Sequence, residues 1–546
     1  MAQIVFRGNL SIASFPFVSS FGGRSIVVPQ LDENYLPKSI NSVTNDFDHD
    51  RGIPQLAYCH NVMPVGQGFK SIGYTKCVNY VLPARADIIE SQVVRDSSNN
   101  KAILEFASNG DIYMMKAGDS TMILIAAVVG WTGATPITFA TVNGNTYVCL
   151  QGLGIYKVNI TGRTLDAFAT TGIVQANLIG IADSNNYLIA YTSTVVAWSS
   201  ATDPSDFVPS LVTGAGSGTP NDLAGTIVIV LGLSNGFAVY STKNIILASF
   251  SGNTQYPWVF RSAVFGSGIN YLDQVTSEDD LAYHYAYTTA GLVKVTTNGC
   301  EVVEPELTDF LSGKVFEDYN TATKKFTVTY ISSQLSVRLA FIGGRFLVVS
   351  YGIVDGQYTH AVVWDEAFNR WGKLKIDHIK CFDMSVSPNG DPLTWTELNT
   401  DIWAMYATLP WTLMSRMNND AAATKFNLGF LQNDGSMYTA DFSFGQAGSE
   451  GVMLLGKYQI NRNNFCTLHE IEVEGVDAFS LPFNVFVLST IDGSTFQDAT
   501  TPTKTLAQGN VRKYNSFVSG ANHTVVMQGS FHIVTLVLTM TNDGRM

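Results

Sequence analysis

Residues 227–241 read IVIVLGLSNGFAVYS, two apolar runs joined at Asn235-Gly236. Asn-Gly suits the positive backbone angles of a two-residue hairpin, so the stretch predicts two antiparallel strands and a tight turn. Comparable signals recur at Asn109-Gly110, Asn143-Gly144, Asn185-Asn186, Ala290-Gly291, Gly343-Gly344, Asn389-Gly390 and Asp434-Gly435. Successive turns lie 34 to 55 residues apart and about 46 on average, the period of a four-stranded propeller blade.

Period-two alternation supports the strands. Phe326, Val328 and Tyr330 are separated by threonines, and Ile471 and Val473 stand among Glu470, Glu472 and Glu474. Amphipathic helical spacing is scarce. Aromatic strand ends such as Val196-Ala197-Trp198, Tyr256-Pro257-Trp258 and Val362-Val363-Trp364 supply the bulky residues needed where one blade packs on the next. The expected fold is mainly β. A propeller-like central domain spans 84–450, an N-terminal platform or interface region spans 1–83, and a C-terminal β-sandwich-like domain spans 451–546.

Composition narrows the function. The chain has 546 residues, of which 46% are hydrophobic and only 14% charged. That excludes intrinsic disorder and coiled coils. A net charge of -13 argues against tight phosphate binding, which needs clustered Lys and Arg. Near the N-terminus, Asn9, Ser11, Ser14, Ser19 and Ser20 interrupt any signal-peptide core, so no secretion signal is evident. The longest strongly apolar run, Met122 to Val129, is far short of a membrane span. Cys59, Cys77, Cys149, Cys300, Cys381 and Cys466 are scattered without a CxxC pair, which reads as reduced thiols of a protein made in a cytosol.

Chemical motifs start and fail. Asn45 to Gly52 places alternate aspartates as a calcium loop would, but Arg51 and Ala57 occupy the tight-turn Gly and bidentate acid positions. His469-Glu470 lacks the second His of a zincin, with Val473 in its place. Cys59-His60 is adjacent on a strand, so the two side chains diverge. Gly214 to Gly218 fits neither GxGxxG nor GxSxG, and Gly313-Lys314, Gly372-Lys373 and Gly456-Lys457 complete no phosphate loop. Thr490 to Phe496 is one residue short of the Asp-box turns of sialidase-like propellers. No catalytic, cofactor-binding or metal-ligating residue is nominated, no cofactor is expected, and the expectation is a protein that is not an enzyme. A triad assembled only in three dimensions stays open.

Two stretches resemble the tail nozzle proteins (tail tubular protein B type) of short-tailed bacteriophages. The first is Cys59-His60-Asn61-Val62-Met63-Pro64 with Gly66, Gly68, Lys70 and Gly73. The second comprises Trp198 to Phe207, Gly214 to Gly218, Asn221-Asp222-Leu223, Gly236-Phe237, Tyr240-Ser241-Thr242, Ser251-Gly252-Asn253 and Pro257 to Arg261. Together they cover under a fifth of the chain. The resemblance implies a homohexamer forming the distal tail tube below an adaptor ring. Tail fibres or spikes would dock at its upper edge, and double-stranded DNA would pass without sequence preference. It implies a location in the virion tail after synthesis in the host bacterial cytoplasm, and brings no cofactor or reaction.

Low charge content agrees with subunits hiding surface in obligate interfaces, and an acidic or neutral lumen would let DNA slide. The alternative is a glycan-binding or glycan-cleaving phage tail propeller, a receptor-binding protein or depolymerase. A cellular propeller scaffold is the third reading.

Overall fold

The structure is a computed structural model. It describes residues 2–6, 56–65, 68–76, most of 88–383, 428–441 except 435, 451–458, 464–479, 483–490, 504–506, 509–520 and 522–545.

Among the described residues the sheets resolve into seven four-stranded antiparallel blades and a two-sheet sandwich. The inner strands of blades 1 to 7 begin at Ile88, Ile137, Gly180, Ile227, Val275, Ser336 and Lys380, steps of 43 to 49 residues apart from 61 between Val275 and Ser336. The longer step accommodates an inserted hairpin, Val315–Asn320 paired with Lys325–Tyr330. The inner strands of blades 2, 3 and 4 pack in order, as do those of blades 5, 6, 7 and 1, while Phe106 with Phe139 joins blade 1 to blade 2 and His284 with Tyr240 joins blade 5 to blade 4, which makes the ring closed. The chain is thus mainly β and propeller-forming, as its turns predicted.

Those turns prove to be of two kinds. Asn143 and Gly144 have φ of 50° and 73°, and Asn185 and Asn186 have 50° and 66°, the paired positive angles of a hairpin joining first and second strands. In blade 4 the loop is Ser234-Asn235 instead. Gly236 opens the second strand at φ 150°, where a Cβ would collide with the Ala248 carbonyl oxygen. Asn109-Gly110 and Ala290-Gly291 fall between second and third strands, so the sequence rhythm mixed two positions in the blade. Asn389-Gly390, Gly343-Gly344 and Gly435 lie outside the described residues.

Aromatics occupy the seams as expected. Tyr187 of blade 3 meets Trp258 of blade 4 with ring centroids 5.5 Å apart, and Tyr285 of blade 5 meets Trp364 of blade 6 at 5.7 Å. Phe106 of blade 1 lies 5.9 Å from Phe139 of blade 2. Polar groups stitch the seams between blades 1 and 2, 2 and 3, and 5 and 6. Thr146 Oγ1 bonds the Arg95 carbonyl at 2.8 Å, the Thr141 N–H donates to Asp183 at 2.9 Å, and the Phe341 N–H donates to Thr276 at 3.0 Å.

The outer strand of blade 7 is Gly73–Lys76, which precedes blade 1 in the chain. Blade 6 is extended at its outer strand Arg370–His378 by Val62–Val65, Gly68–Ser71, His532–Arg545, Asn464–Phe479 and Gly509–Gly520, with Ala2–Phe6 also paired to His532–Arg545. The second sandwich sheet orders Leu56–His60, Gly451–Tyr458, Asn522–Gly529, Phe483–Thr490 and Lys504–Leu506. Strands read from sequence as two terminal regions therefore share both sandwich sheets. Val452, Met453, Leu468, Ile471, Val473 and Met527 are fully buried there.

Candidate functional site: the propeller channel

All seven inner strands contribute to one central cavity of about 850 Å³. The inner strands line it with neighbouring as well as alternate residues, Ile137, Thr138 and Phe139 among them. Blades 1 to 4 supply an apolar wall that includes Val93, Ile137, Phe139, Ile181, Ile227 and Leu231. Blades 1, 5, 6 and 7 supply Glu90, Asp273, Arg338 and Lys380.

These four charges are coupled. Arg338 Nη2 lies 3.5 Å from Glu90 Oε2 and its Nε 3.9 Å from Asp273 Oδ2, while Lys380 pairs with Glu90. Arg338 Nη1 also donates to the Ile379 carbonyl at 2.9 Å, and the Tyr358 hydroxyl donates to Asp273 at 3.3 Å. Burial pulls the Lys380 ammonium down toward about 7, which the touching Glu90 carboxylate opposes. Lys380 and Glu90 thus hold blade 7 against blade 1. Two acids and two bases leave this sector neutral, and the cluster ties the first blade to the last three.

Blades 6 and 7 also bring together a constellation that sequence order concealed. His378 Nδ1 donates to the Ile376 carbonyl at 2.7 Å, the Ser350 hydroxyl lies 2.7 Å from His378 Nε2, and Ser350 Oγ is 3.2 Å from Cys381 Sγ. The arrangement imitates a nucleophile with its base. Burial pushes the imidazole down to about 4 and the thiol up to about 12. Ser350 is only 1% exposed, so its hydroxyl is satisfied inside the protein by His378 and Cys381. The group serves as a polar bolt across the seam. His284 acts likewise between blades 4 and 5, with Nδ1 2.9 Å from the Tyr240 hydroxyl and Nε2 2.6 Å from the Gly232 carbonyl. Burial pushes it to about 4 as well.

The motifs weighed in the sequence take structural places. Cys59 and His60 are both buried on Leu56–His60 and pair with Met453 and Val452. His469-Glu470 lies on the strand Asn464–Phe479, not on a helix. Gly216–Gly218 is the outer strand of blade 3, and the Gly214 carbonyl accepts Trp198 Nε1–H at 2.9 Å. A Cβ at Gly216 would press within 3.1 Å of the Trp198 ring, which explains glycine there. Gly372-Lys373 is in the outer strand of blade 6 and Gly456-Lys457 in a sandwich strand. Asn45 to Gly52, Gly313-Lys314 and Thr490 to Phe496 beyond Thr490 lie outside the described residues.

Four described cysteines, Cys59, Cys149, Cys300 and Cys381, are free thiols. Among the described residues no group of three or more His, Cys, Asp or Glu could hold a metal ion, and no helix is long and apolar enough to cross a membrane. Glu90, Asp273, Arg338 and Lys380 were not found by motif. Their signal is a charge embedded in an inner strand, or for Asp273 in the turn just before one, of a chain poor in charge.

The class defined by this architecture is a β-propeller joined to a β-sandwich. No protein-family model matches the chain, and no curated protein does. Among solved structures it is similar to YCF48 bound to D1 peptide, with 8% identity over 69% of this chain and 97% of that one and a TM-score of 0.38. The RRP9 WD40 repeats give 7% identity, 56% and 85% coverage and a TM-score of 0.34. Dihydro-heme d1 dehydrogenase NirN in complex with DHE gives 11%, 56%, 59% and 0.30.

Proposed function

We propose that the protein is a structural virion component, the tail nozzle of a short-tailed phage, acting as a homohexameric conduit for DNA ejection. Its partners in this reading are the tail adaptor, tail fibres or spikes, and DNA in passage, and it resides in the virion tail after synthesis in the host bacterial cytoplasm. The reading is supported chiefly by the role of the first resembling stretch. Cys59 to Gly73 runs from one sandwich sheet through the other and into blade 7, so the residues shared with nozzle proteins are those that join the two bodies. The second stretch falls on the third and outer strands of blade 3 and the second and outer strands of blade 4.

The channel fits a scaffold better than a passage. A cavity of about 850 Å³ bounded by Ile137, Phe139 and Ile227 is too small and too apolar for a duplex with a charge about every 1.7 Å of axis. DNA would then run between copies of the chain. Its net charge of -13 keeps phosphates from adhering to such a wall. Native mass spectrometry of the purified protein, with immunoblotting of purified particles, tests the proposal. A complex of six 59.3 kDa chains present in particles is the expected result, and a monomer missing from particles would overturn it.

A further inference from the structure

Phe517 breaks two rules at once. It is a bulky residue at φ 53°, the left-handed region that such side chains avoid, and its side chain is 68% exposed. The cause is a bulge between Gly509–Gly520 and Asn464–Phe479. Leu468 pairs with Val518 and Glu470 with Asn515, so Ser516 and Phe517 together oppose His469. Bulges re-aim side chains, and here the break in phase leaves His469 and Glu470, consecutive residues, both partly accessible. The Phe517 ring meets the His469 ring at 5.6 Å and 87°, which fixes it upright as a platform.

Hydrogen-bonding groups lie along the same two strands. Lys513 Nζ lies 3.3 Å from Glu470 and 3.1 Å from Glu472, Thr467 and Ser519 hydroxyls meet at 2.5 Å, and Asn515 is exposed next to the bulge. We infer that this outer face of the sandwich is a carbohydrate-binding platform, with Phe517 stacking on the C–H face of a pyranose and Asn515, Glu472 and Lys513 bonding its hydroxyls. A neutral polyhydroxylated ring is the ligand chemistry favoured. It offers an apolar face to the phenyl ring, donors to the carboxylates and acceptors to the ammonium and amide, without displacing the Lys513 ion pairs. An apolar peptide would use the ring but strand the charged rim, and an anion would face Glu470 and Glu472. The site is independent of the nozzle reading and stands without it.

Saturation-transfer NMR on the intact protein, with methyl glucopyranosides, galactopyranosides and mannopyranosides as probes, tests the inference. Transfer to ring C–H protons of at least one glycoside is expected. Phe517→Ala should weaken binding roughly tenfold, the loss expected for one aromatic contact, while Phe517→Tyr retains it. Asn515→Ala should weaken binding with the platform intact. No transfer from any glycoside, or transfer unchanged by Phe517→Ala, would overturn the site. A change of oligomeric mass on Phe517→Ala without any sugar signal would also overturn it, assigning the face to contact between copies.

Discussion

The Tyr74 hydroxyl donates to Asn61 Oδ1 at 2.7 Å, joining the outer strand of blade 7 to the residue that links the two sandwich sheets. The same oxygen accepts the Lys375 N–H of blade 6 at 2.7 Å, and the Asn61 carbonyl accepts the Ile72 N–H at 2.8 Å. Asn61 sits at φ 51°, a conformation asparagine tolerates better than most residues. Asn61→Ala would strand two donors and strain the backbone, a loss of about 2–4 kcal/mol. Tyr74→Phe removes one donor and should cost about 1 kcal/mol. Urea unfolding of the three proteins checks the order.

The channel ion cluster makes a second prediction. Glu90→Gln leaves Lys380 without a counter-charge and weakens the hold on Arg338, so a loss of about 3 kcal/mol is expected. Adding Lys380→Met should recover most of it, because the stranded cation is gone. A double-mutant cycle by thermal unfolding reads the coupling, and additive losses would contradict it.

Acid should loosen the ring. The folded-state pKa of His284 and of His378 falls from 6.5 to about 4, so the unfolded chain binds protons that the folded chain refuses. Stability is complete above pH 6.5 and declines as pH falls toward 4, by about 3 kcal/mol per histidine at the limit. Asp183 acts oppositely. Burial raises it from 3.8 to about 6, so it favours the folded state increasingly as pH falls through that window. Denaturant midpoints between pH 7 and 4.5 should decrease for the wild type and decrease less for His284→Gln.

Thiol labelling gives the fourth test. Burial pushes Cys59, Cys149 and Cys381 to about 12 and the half-buried Cys300 to about 11. At pH 8 iodoacetamide should modify Cys300 first among these four, and the other three only after denaturation, as peptide mass spectrometry would reveal.

The sequence disclosed blades because a hairpin is local. Asn143-Gly144 and its flanking strands carry the turn geometry within a dozen residues, and Trp258 and Trp364 identify seams by size alone. Pairings across the chain were illegible. Nothing in Gly73 to Lys76 says that it completes the last blade, and nothing in Ala2 to Phe6 says that its partner is His532–Arg545. The same distance hid the channel cluster, whose Glu90 and Arg338 are 248 positions apart, and the His378, Ser350 and Cys381 bolt. Such groups meet only after the ring closes.

The clasp at Gly73–Lys76 also sets a timetable. On the ribosome this strand emerges before any blade, yet its partner Met437–Asp441 emerges after more than three hundred further residues. Until then, the early segment must wait with its strand hydrogen bonds unmet and open to wrong partners. Blade 7 cannot be sealed before Met437–Asp441 has been made, so translation products truncated ahead of it should remain open arcs and be cleared by proteolysis before they can assemble.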